Sequence, residues 1–294
     1  MAFNGGAAVV ADRVAAVFSD STTGLGSAVD TATREGADEL YFFCEHNDGV
    51  TARRAALFAL PVSVIDPSGD LDVLEPAPAP APTAAPAALG PAAARMRSAG
   101  LDTVWEQHAL TGEWLGLEVA RAVLTADGPV LEVGVGRHDR AANAEIYPEG
   151  PTDAFLDQAV ATVRELRRPG APPHPANQLA PERWLRAVAR RRPDLVGLGP
   201  LRDAPPPVER ADLRERAVAP ALAEGPAVVV FSVGVDPDLV PSAADARLAL
   251  APGAPLVIVV PEGDDHPLTR RLAAGLDEPA EVHTVAAGWR EADP

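Results

Sequence analysis

Two stretches of the chain, EHNDGVTARR at residues 45–54 and EGDDHPLTRR at residues 262–271, follow the same pattern of charges. Each begins with a glutamate, has an aspartate three positions later and ends in a pair of arginines. One chain that carries this pattern twice is predicted to contain an internal duplication. The alternative is that two unrelated α/β segments share a rhythm of strands, loops and helix-capping aspartates.

The residues around the two stretches predict the same order of secondary structure. Two short apolar runs precede each stretch and one follows it, and helix-like segments separate these runs. Strands that alternate with helices are typical of parallel sheets with crossover helices. We therefore predict an α/β fold with two Rossmann-like βαβαβ halves, an N-terminal half at residues 11–70 and a C-terminal half at residues 226–290.

Shorter motifs also repeat in the two halves, and in the same order. VFS occurs at residues 17–19 and again at 230–232, and SAVD at 27–30 corresponds to SAAD at 242–245. Matching landmarks in one order favour duplication over coincidence.

Proline-rich segments separate the halves from the middle of the chain. Residues 71–91 read as an extended Pro/Ala-rich linker, and RPGAPPHPANQLAP at residues 168–181 reads as a second break. The middle segment, residues 92–225, is predicted to be α+β. It is expected to contain a hairpin that turns at Asp127-Gly128, because alternating apolar residues flank this turn signal.

The composition excludes several classes of function. The net charge of -17 disfavours general binding to nucleic acids and to anionic membranes. All 25 basic residues are arginine, so a catalytic lysine, a P-loop lysine and a Schiff base are excluded. The single cysteine, Cys44, and an N-terminus without a signal-peptide pattern predict a cytoplasmic protein.

The loop after the first VFS motif is the first candidate site. In SDSTTGLGS, Gly24 and Gly26 offer backbone amides to an anion, and Ser21 and Thr22 offer hydroxyl groups. The loop lacks the third glycine of the dinucleotide fingerprint and the lysine of the P-loop. The alternative interpretation is a capped helix entry after a tight turn.

The corresponding loop of the C-terminal half is acidic. Asp236 and Asp238 follow a predicted strand, at the edge where open α/β sheets usually bind ligands. Carboxylates at this position suit a cation or a sugar hydroxyl. Helix capping and solvated turns are the alternative.

A third candidate lies in the predicted hairpin and the residues that follow it. If even-numbered positions share a face, Glu118, Glu132 and His138 align there, with Asp139 nearby. Two carboxylates with a histidine suit acid–base chemistry or a divalent metal, which makes these four residues the candidate catalytic set.

The arginines beside this set support a different interpretation. Arg137 and Arg140 flank His138-Asp139 and are suited to hold a phosphate or a carboxylate. A purely structural network of Arg–Asp ion pairs is the alternative.

Three strings of the middle segment carry a resemblance to known proteins. GLEVARAV, LEVGVGRHDR and RRPGAPPHPANQLAPERWLRA resemble a conserved, functionally uncharacterised protein family of GC-rich bacteria. The resemblance extends over most of the chain and implies no activity.

Together these patterns predict a protein that binds a small molecule, with a nucleotide or another phosphate-containing compound as the expected ligand, in a binding or regulatory role. A metal-dependent hydrolase of the nuclease or phosphoesterase type, using the carboxylates of the middle segment, is one alternative. A structural or partner-binding protein without a site is another. The sequence indicates no particular cofactor or metal.

Overall fold

The computed structural model describes residues 2–3, 6–19, 24–44, 49–68, 70–106, 108–207, 219–223, 225 and 227–292. The fold is mixed α/β, and the chain divides into two compact units. Unit 1 comprises Met1–Ala81, Pro226–Val230 and Gly234–Thr284, and unit 2 comprises Pro82–Gly225, Phe231–Val233 and Val285–Pro294.

The described residues form fourteen strands in three sheets, and eight α-helices. The strands are β1 (Ala2–Phe3), β2 (Gly6–Ala11), β3 (Val14–Ser19), β4 (Glu39–Cys44), β5 (Val62–Ile65), β6 (Asp102–Glu106), β7 (Ala109–Trp114), β8 (Leu117–Thr125), β9 (Gly128–Val133), β10 (Leu201–Asp203), β11 (Ala219–Ala223), β12 (Val228–Phe231), β13 (Leu256–Pro261) and β14 (Glu281–Val285). The helices are α1 (Leu25–Arg34), α2 (Val50–Ala55), α3 (Gly90–Ser98), α4 (Gly136–Ile146), α5 (Asp153–Leu166), α6 (Pro181–Arg191), α7 (Leu239–Leu250) and α8 (Pro267–Ala274). Short 3-10 turns lie at Ala87–Leu89, Pro175–Gln178, Pro193–Leu195, Glu262–Asp264 and Trp289–Glu291.

The N-terminal half of unit 1 builds one sheet in the order β1-β2-β3-β4-β5. β3, β4 and β5 run parallel, and α1 and α2 connect them, as the sequence predicts. β2 was not expected from the sequence. It pairs antiparallel with β3 through a turn at Asp12 and Arg13, which have φ angles of 49° and 67°. This is the backbone of a tight hairpin turn formed without the usual glycine signal, which explains why the sequence did not reveal it.

β4 shows how this sheet is covered. Leu40, Phe42 and Cys44 are buried, whereas the residues between them are half-buried. Because side chains alternate between the two faces of a strand, one face of β4 lies in the core and the other is less completely covered.

The C-terminal half of unit 1 repeats the element order with β12, α7, β13, α8 and β14. These three strands are successive neighbours within their sheet. All six residues of β13 are buried. A continuous buried apolar run indicates a strand that is covered on both faces.

Unit 2 is built on the antiparallel sheet β6-β7-β8-β9. The hairpin predicted at Asp127-Gly128 is confirmed, since β8 and β9 pair from Thr125↔Gly128 to Ala120↔Val133. Side chains of α3 and α5, among them Met96 and Leu156, pack against β8 in a single apolar core.

The predicted linker at residues 71–91 is held by specific contacts. The Arg53 side chain donates hydrogen bonds to the carbonyl oxygens of Ala77 (3.3 Å) and Pro78 (3.0 Å). Further along, Thr83 accepts a bond of 3.0 Å from the indole of Trp105. These contacts hold the segment at Ala77-Pro78 and at Thr83, although most of its residues are exposed, and α3 begins at Gly90.

None of the helices in the described part of the chain combines the length and the apolar character that crossing a bilayer requires.

Candidate functional site

The predicted anion-binding loop of the N-terminal half holds a carboxylate of the protein itself. The amide nitrogens of Gly24 and Gly26, at the start of α1, donate to the two carboxylate oxygens of Asp238 at 2.5 and 2.9 Å. The glycine loop of the N-terminal half and the acidic loop of the C-terminal half were predicted to bind different ligands, and they bind each other instead. Ser21 and Thr22 lie outside the described residues.

Close packing explains the glycines of this loop. Gly24 has a φ of 101°, and a Cβ on Gly26 would lie 1.8 Å from the carbonyl oxygen of Pro237. The first position needs a left-handed backbone and the second needs the absence of a side chain. Both requirements follow from the contact with the 237–238 segment.

The environment of Asp238 changes its protonation. Burial raises the pKa of the Asp238 carboxyl above its ordinary value, and this outweighs the lowering by the amides of Gly26 and Gly24. Asp236 does not turn towards the same amides, because its carboxylate accepts a bond of 2.9 Å from the Asp238 nitrogen in a local turn.

Ion pairs connect the two halves of unit 1 in a reciprocal pattern. Arg53 of α2 donates to both carboxylate oxygens of Asp245 on α7, at 2.7 and 3.1 Å. In the opposite direction, Arg271 of α8 donates to Asp30 on α1 at 2.8 Å. Arg54 adds a third bond to Asp245 at 3.1 Å. The paired arginines and the SAVD and SAAD aspartates of the sequence are the residues that join the halves.

The remaining acids of the C-terminal loop are also engaged. Asp264 accepts a bond of 2.7 Å from the Gly234 nitrogen, and Asp265 pairs with Arg270 at 2.8 Å. The helix that follows is capped by His266, whose Nδ1 accepts from the Leu268 nitrogen. These acids therefore shape turns and hold an arginine.

In unit 2, two of the predicted catalytic carboxylates meet at an arginine. Arg140 lies 2.6 Å from the buried Glu118 carboxylate and 3.4 Å from Glu132. Arg121 also binds Glu118, with nitrogen–oxygen distances of 3.0 and 3.2 Å. The arrangement is a network of ion pairs, which agrees with the structural alternative considered for this stretch.

His138 does not lie on the hairpin, so the proposed alignment with Glu118 and Glu132 does not form. Gly134 and Gly136 have φ angles of 145° and 79°, which end β9 and start α4. His138 is consequently exposed on a helix, as are Arg137 and Asp139, which lie in its first turn. In the described part of the chain, no three His, Cys, Asp or Glu side chains are placed to hold a metal ion.

A second ion network in unit 2 surrounds Glu113. This buried carboxylate accepts from Arg183 and, at 3.1 Å, from Arg186. Arg186 also lies 3.0 Å from Asp203, and Arg183 donates to Glu106 at 2.8 Å. Each of these two buried arginines thus has carboxylate partners.

One cleft of unit 2 is open to a ligand. Its volume is about 560 Å³, and it lies between the 168–181 segment, the start of α6 and the Trp289–Glu291 turn. The described residues that line it are Arg168, Ala171, Pro173, His174, Pro175, Asn177, Gln178, Pro181, Trp184, Arg290 and Glu291.

Behind this cleft lies a buried arginine with an unusual set of partners. Arg167 donates to the backbone carbonyl oxygens of Leu115 (2.6 Å), Ala176 (3.3 Å) and Leu179. Its guanidinium carbon lies 4.6 Å from the centre of the Trp184 ring. Burial lowers the pKa of Arg167 to about 9. Arg167 therefore fixes the proline-rich wall of the cleft to the turn between β7 and β8.

Two polar groups in the cleft wall have no partner among the described residues. They are the indole N–H of Trp184, a residue only 4% exposed, and the side-chain oxygen of Asn177. A buried polar group without a hydrogen bond costs about 1–3 kcal/mol. Such groups are rare in folded proteins and often mark the place where a ligand or water completes the structure.

The sequence did not point to this cleft. In the sequence, RPGAPPHPANQLAP indicates only a break between segments. An available signal was the proximity of Arg167 and Trp184 in sequence, since arginine and tryptophan are enriched at binding interfaces.

Comparison with models of known protein families, with curated proteins and with solved structures returns no match. The resemblance of the middle strings to a bacterial protein family therefore stays a prediction, and function is argued from the geometry.

Proposed function

We propose that the two halves of unit 1 are a duplicated Rossmann-like βαβαβ motif. Their common element order supports this, as do the pairs Arg54–Asp245 and Arg271–Asp30, which join corresponding residues in opposite directions. Phe58 and Leu276, one from each half, also form an antiparallel bridge with each other. Two similar surfaces that exchange the same contacts in both directions are typical of two-fold symmetric association.

The duplication has a consequence for function. In this unit the amides of Gly24 and Gly26 are occupied by Asp238, and Asp264 and Asp265 have partners of their own. We assign unit 1 the role of a scaffold and unit 2 the role of ligand binding.

We propose that the protein binds a small molecule in the cleft of unit 2. The observation that carries this proposal is the pair of unpartnered buried groups, on Trp184 and Asn177, in the wall of an open cleft. Most small-molecule sites combine an apolar and aromatic lining with a few polar groups, and the prolines and Trp184 supply such a lining here.

The metal-dependent hydrolase has less geometric support. Glu118 and Glu132 meet at Arg140, and His138 projects from a separate helix. A divalent ion would have to displace Arg140 from its carboxylate partners.

The proposal is tested by binding of three ring compounds of different charge to the full chain. Benzoate, benzamide and benzylamine are titrated and followed by ligand-observed NMR. We expect at least one to bind, and binding to be lost in Ala171→Trp, where the new side chain fills the cleft. The matched control is Ala144→Trp, on the exposed face of α4.

Two outcomes would contradict the proposal. One is that none of the three compounds binds and that phenyl phosphate, a fourth ring compound, does not bind either. The other is that Ala171→Trp, folded as judged by circular dichroism, binds them as well as the unchanged chain does.

A further inference from the structure

The charges around the unit 2 cleft are unusual for this chain. The protein carries a net charge of -17, yet Arg168 and Arg290 line the cleft, and Glu291 is the one acid among its described lining residues. The Glu291 carboxylate, which accepts a bond of 2.7 Å from the Gly170 nitrogen, balances only one of these two guanidinium charges. The cleft therefore has an excess of positive charge.

Arg167 adds to this excess from behind the cleft wall. No carboxylate among the described residues lies within ion-pair distance of its guanidinium, in contrast to Arg183 and Arg186. Glu113 and Glu182 act on it from a longer distance and only partly offset the effect of its burial. The field of a charge in the protein interior reaches further than it would in water. The Trp184 ring, whose centre lies 4.6 Å from the Arg167 guanidinium carbon, lines the cleft itself.

Two side chains of the cleft lining offer hydrogen-bond donors to an anion. The Nδ1 atom of His174 accepts from the Ala176 nitrogen at 3.2 Å, so the neutral ring carries its proton on Nε2 and presents a donor. Arg168 is paired with Glu165 at 2.9 Å, but both side chains are exposed. Exposed pairs are weak, at about 0–1 kcal/mol, so a ligand can take over this guanidinium.

The remaining lining favours a flat apolar body. Pro173, Pro175 and Pro181 form apolar walls, and the ring of Trp184 lies at right angles to that of Trp289 with centres 5.8 Å apart. The Arg290 guanidinium carbon lies 4.6 Å from the Trp289 ring centre. Planar groups pack well against indole rings and guanidinium planes.

We propose that the cleft of unit 2 takes a small planar organic anion, in which a carboxylate or phosphate group is carried on a ring. This inference rests on the proposed small-molecule function and names its ligand class. The anionic group is held by Arg168 and His174 within the field of Arg167, and the ring lies among Trp184 and the prolines.

The test compares anionic and neutral rings of one size on the full chain. Isothermal titration measures the dissociation constants of benzoate, phenyl phosphate and benzamide. The two anions are compared with neutral benzamide to show the effect of charge. Benzoate is compared with phenyl phosphate to show whether the site prefers a carboxylate or a phosphate. We expect an anion to bind at least about tenfold more tightly than benzamide, since hydrogen bonds to charged groups are the stronger ones.

A matched pair of variants locates the anionic group. Arg168→Gln is expected to weaken binding of the preferred anion about five- to tenfold and to leave benzamide unchanged, because it removes one charge-assisted contact. Arg192→Gln is the control, since Arg192 also holds an exposed pair in unit 2, with Asp194, and does not line the cleft.

Each result bears on one of the two proposals. If benzamide or benzylamine binds as tightly as both anions, the anion inference is overturned and the small-molecule function stands. If Arg168→Gln and Arg192→Gln weaken the anion equally, the assignment of Arg168 is overturned. If none of the four compounds binds, both proposals fail.

Discussion

The two halves of unit 1 repeat one element order but use their strands differently. In the N-terminal half, β4 alternates between buried and half-buried residues, whereas in the C-terminal half every residue of β13 is buried. The sequences ELYFFC and LVIVVP already differ in this way, because a strand covered on both faces carries apolar residues throughout. A repeated order of elements therefore does not imply a repeated environment.

The reciprocal ion pairs show the same asymmetry. The side chains of Arg54 and Asp245 are 22% and 0% exposed, whereas those of the corresponding pair, Arg271 and Asp30, are 44% and 10% exposed. Asp245 also binds Arg53, which is 6% exposed. Removal of one partner of an ion pair lowers the free energy of unfolding most when the other charged partner stays buried. The two halves make the same contact, and only one of these contacts is expected to matter strongly for stability.

Asp245→Asn should give the largest loss. It leaves Arg53 buried without its carboxylate, so we expect the free energy of unfolding to fall by about 3–5 kcal/mol. Urea unfolding followed by far-UV circular dichroism measures this. Asp30→Asn, the control at the corresponding position, should cost no more than about 1 kcal/mol, because its partner Arg271 is largely exposed. Equal losses for the two variants would remove the asymmetry.

Ile258→Ala tests the covered strand against the more open one. Ile258 is fully buried on β13, and its truncation should cost about 2–5 kcal/mol. Tyr41 holds the corresponding position on β4 and is half-buried. Tyr41→Ala should cost about 1 kcal/mol or less, the size of a cross-strand contact. A loss for Tyr41→Ala that matches the loss for Ile258→Ala would show that β4 is covered as completely as β13.

Gly26→Ala tests the contact between the halves at the loop. The added methyl group would meet the Pro237 carbonyl oxygen, so we expect a loss of about 1–3 kcal/mol from forced separation. The corresponding residue of the C-terminal half, Pro241, already carries a Cβ. Gly90→Ala, a helical glycine with open space around its Cβ position, is the control and should be neutral or slightly stabilising. If Gly26→Ala lowers the free energy of unfolding no more than Gly90→Ala does, the close contact between Gly26 and the Pro237 carbonyl oxygen is contradicted.

The smallest effect is the pH dependence of the Asp238 contact. The pKa of Asp238 is higher in the folded chain than in the unfolded chain, so the folded chain keeps this proton at pH values where the unfolded chain has released it. The group therefore stabilises the fold most at pH values below the ordinary Asp pKa. That contribution is lost as the pH rises through the folded pKa. The stability of the wild type relative to Asp238→Asn should therefore decline with rising pH, in urea unfolding at a series of pH values. A difference that grows with pH would contradict the assignment.

The sequence predicts the order of elements better than the use of its charged residues. Apolar runs and turn residues gave the parallel β3-β4-β5 arrangement and the β8–β9 hairpin, because these depend on local patterns. The same reasoning missed β2, since its turn at Asp12 and Arg13 lacks glycine. It also extended the hairpin through His138, although Gly134 and Gly136 end the strand.

The candidate sites were harder to predict because charged residues acquire their roles from partners far along the chain. Gly24 and Asp238 were both recognised as candidates, but only the fold brings them together, 214 positions apart in sequence. Arg140 was expected to bind a ligand and instead neutralises Glu118. The cleft depends on Arg167 and Trp184 meeting across a proline-rich segment, which no periodicity indicates.

The most direct test of the ligand site uses the four tryptophans of the chain, whose indole N–H groups give separate signals in a ¹H–¹⁵N correlation spectrum. Phenyl phosphate is titrated into the ¹⁵N-labelled full chain. The cleft assignment predicts that the signals of Trp184 and its neighbour Trp289 shift, while those of Trp105 and Trp114 and the amides of Gly24 and Gly26 do not. Saturating shifts at Gly24 and Gly26 with unmoved Trp184 would place the ligand in unit 1 and contradict it.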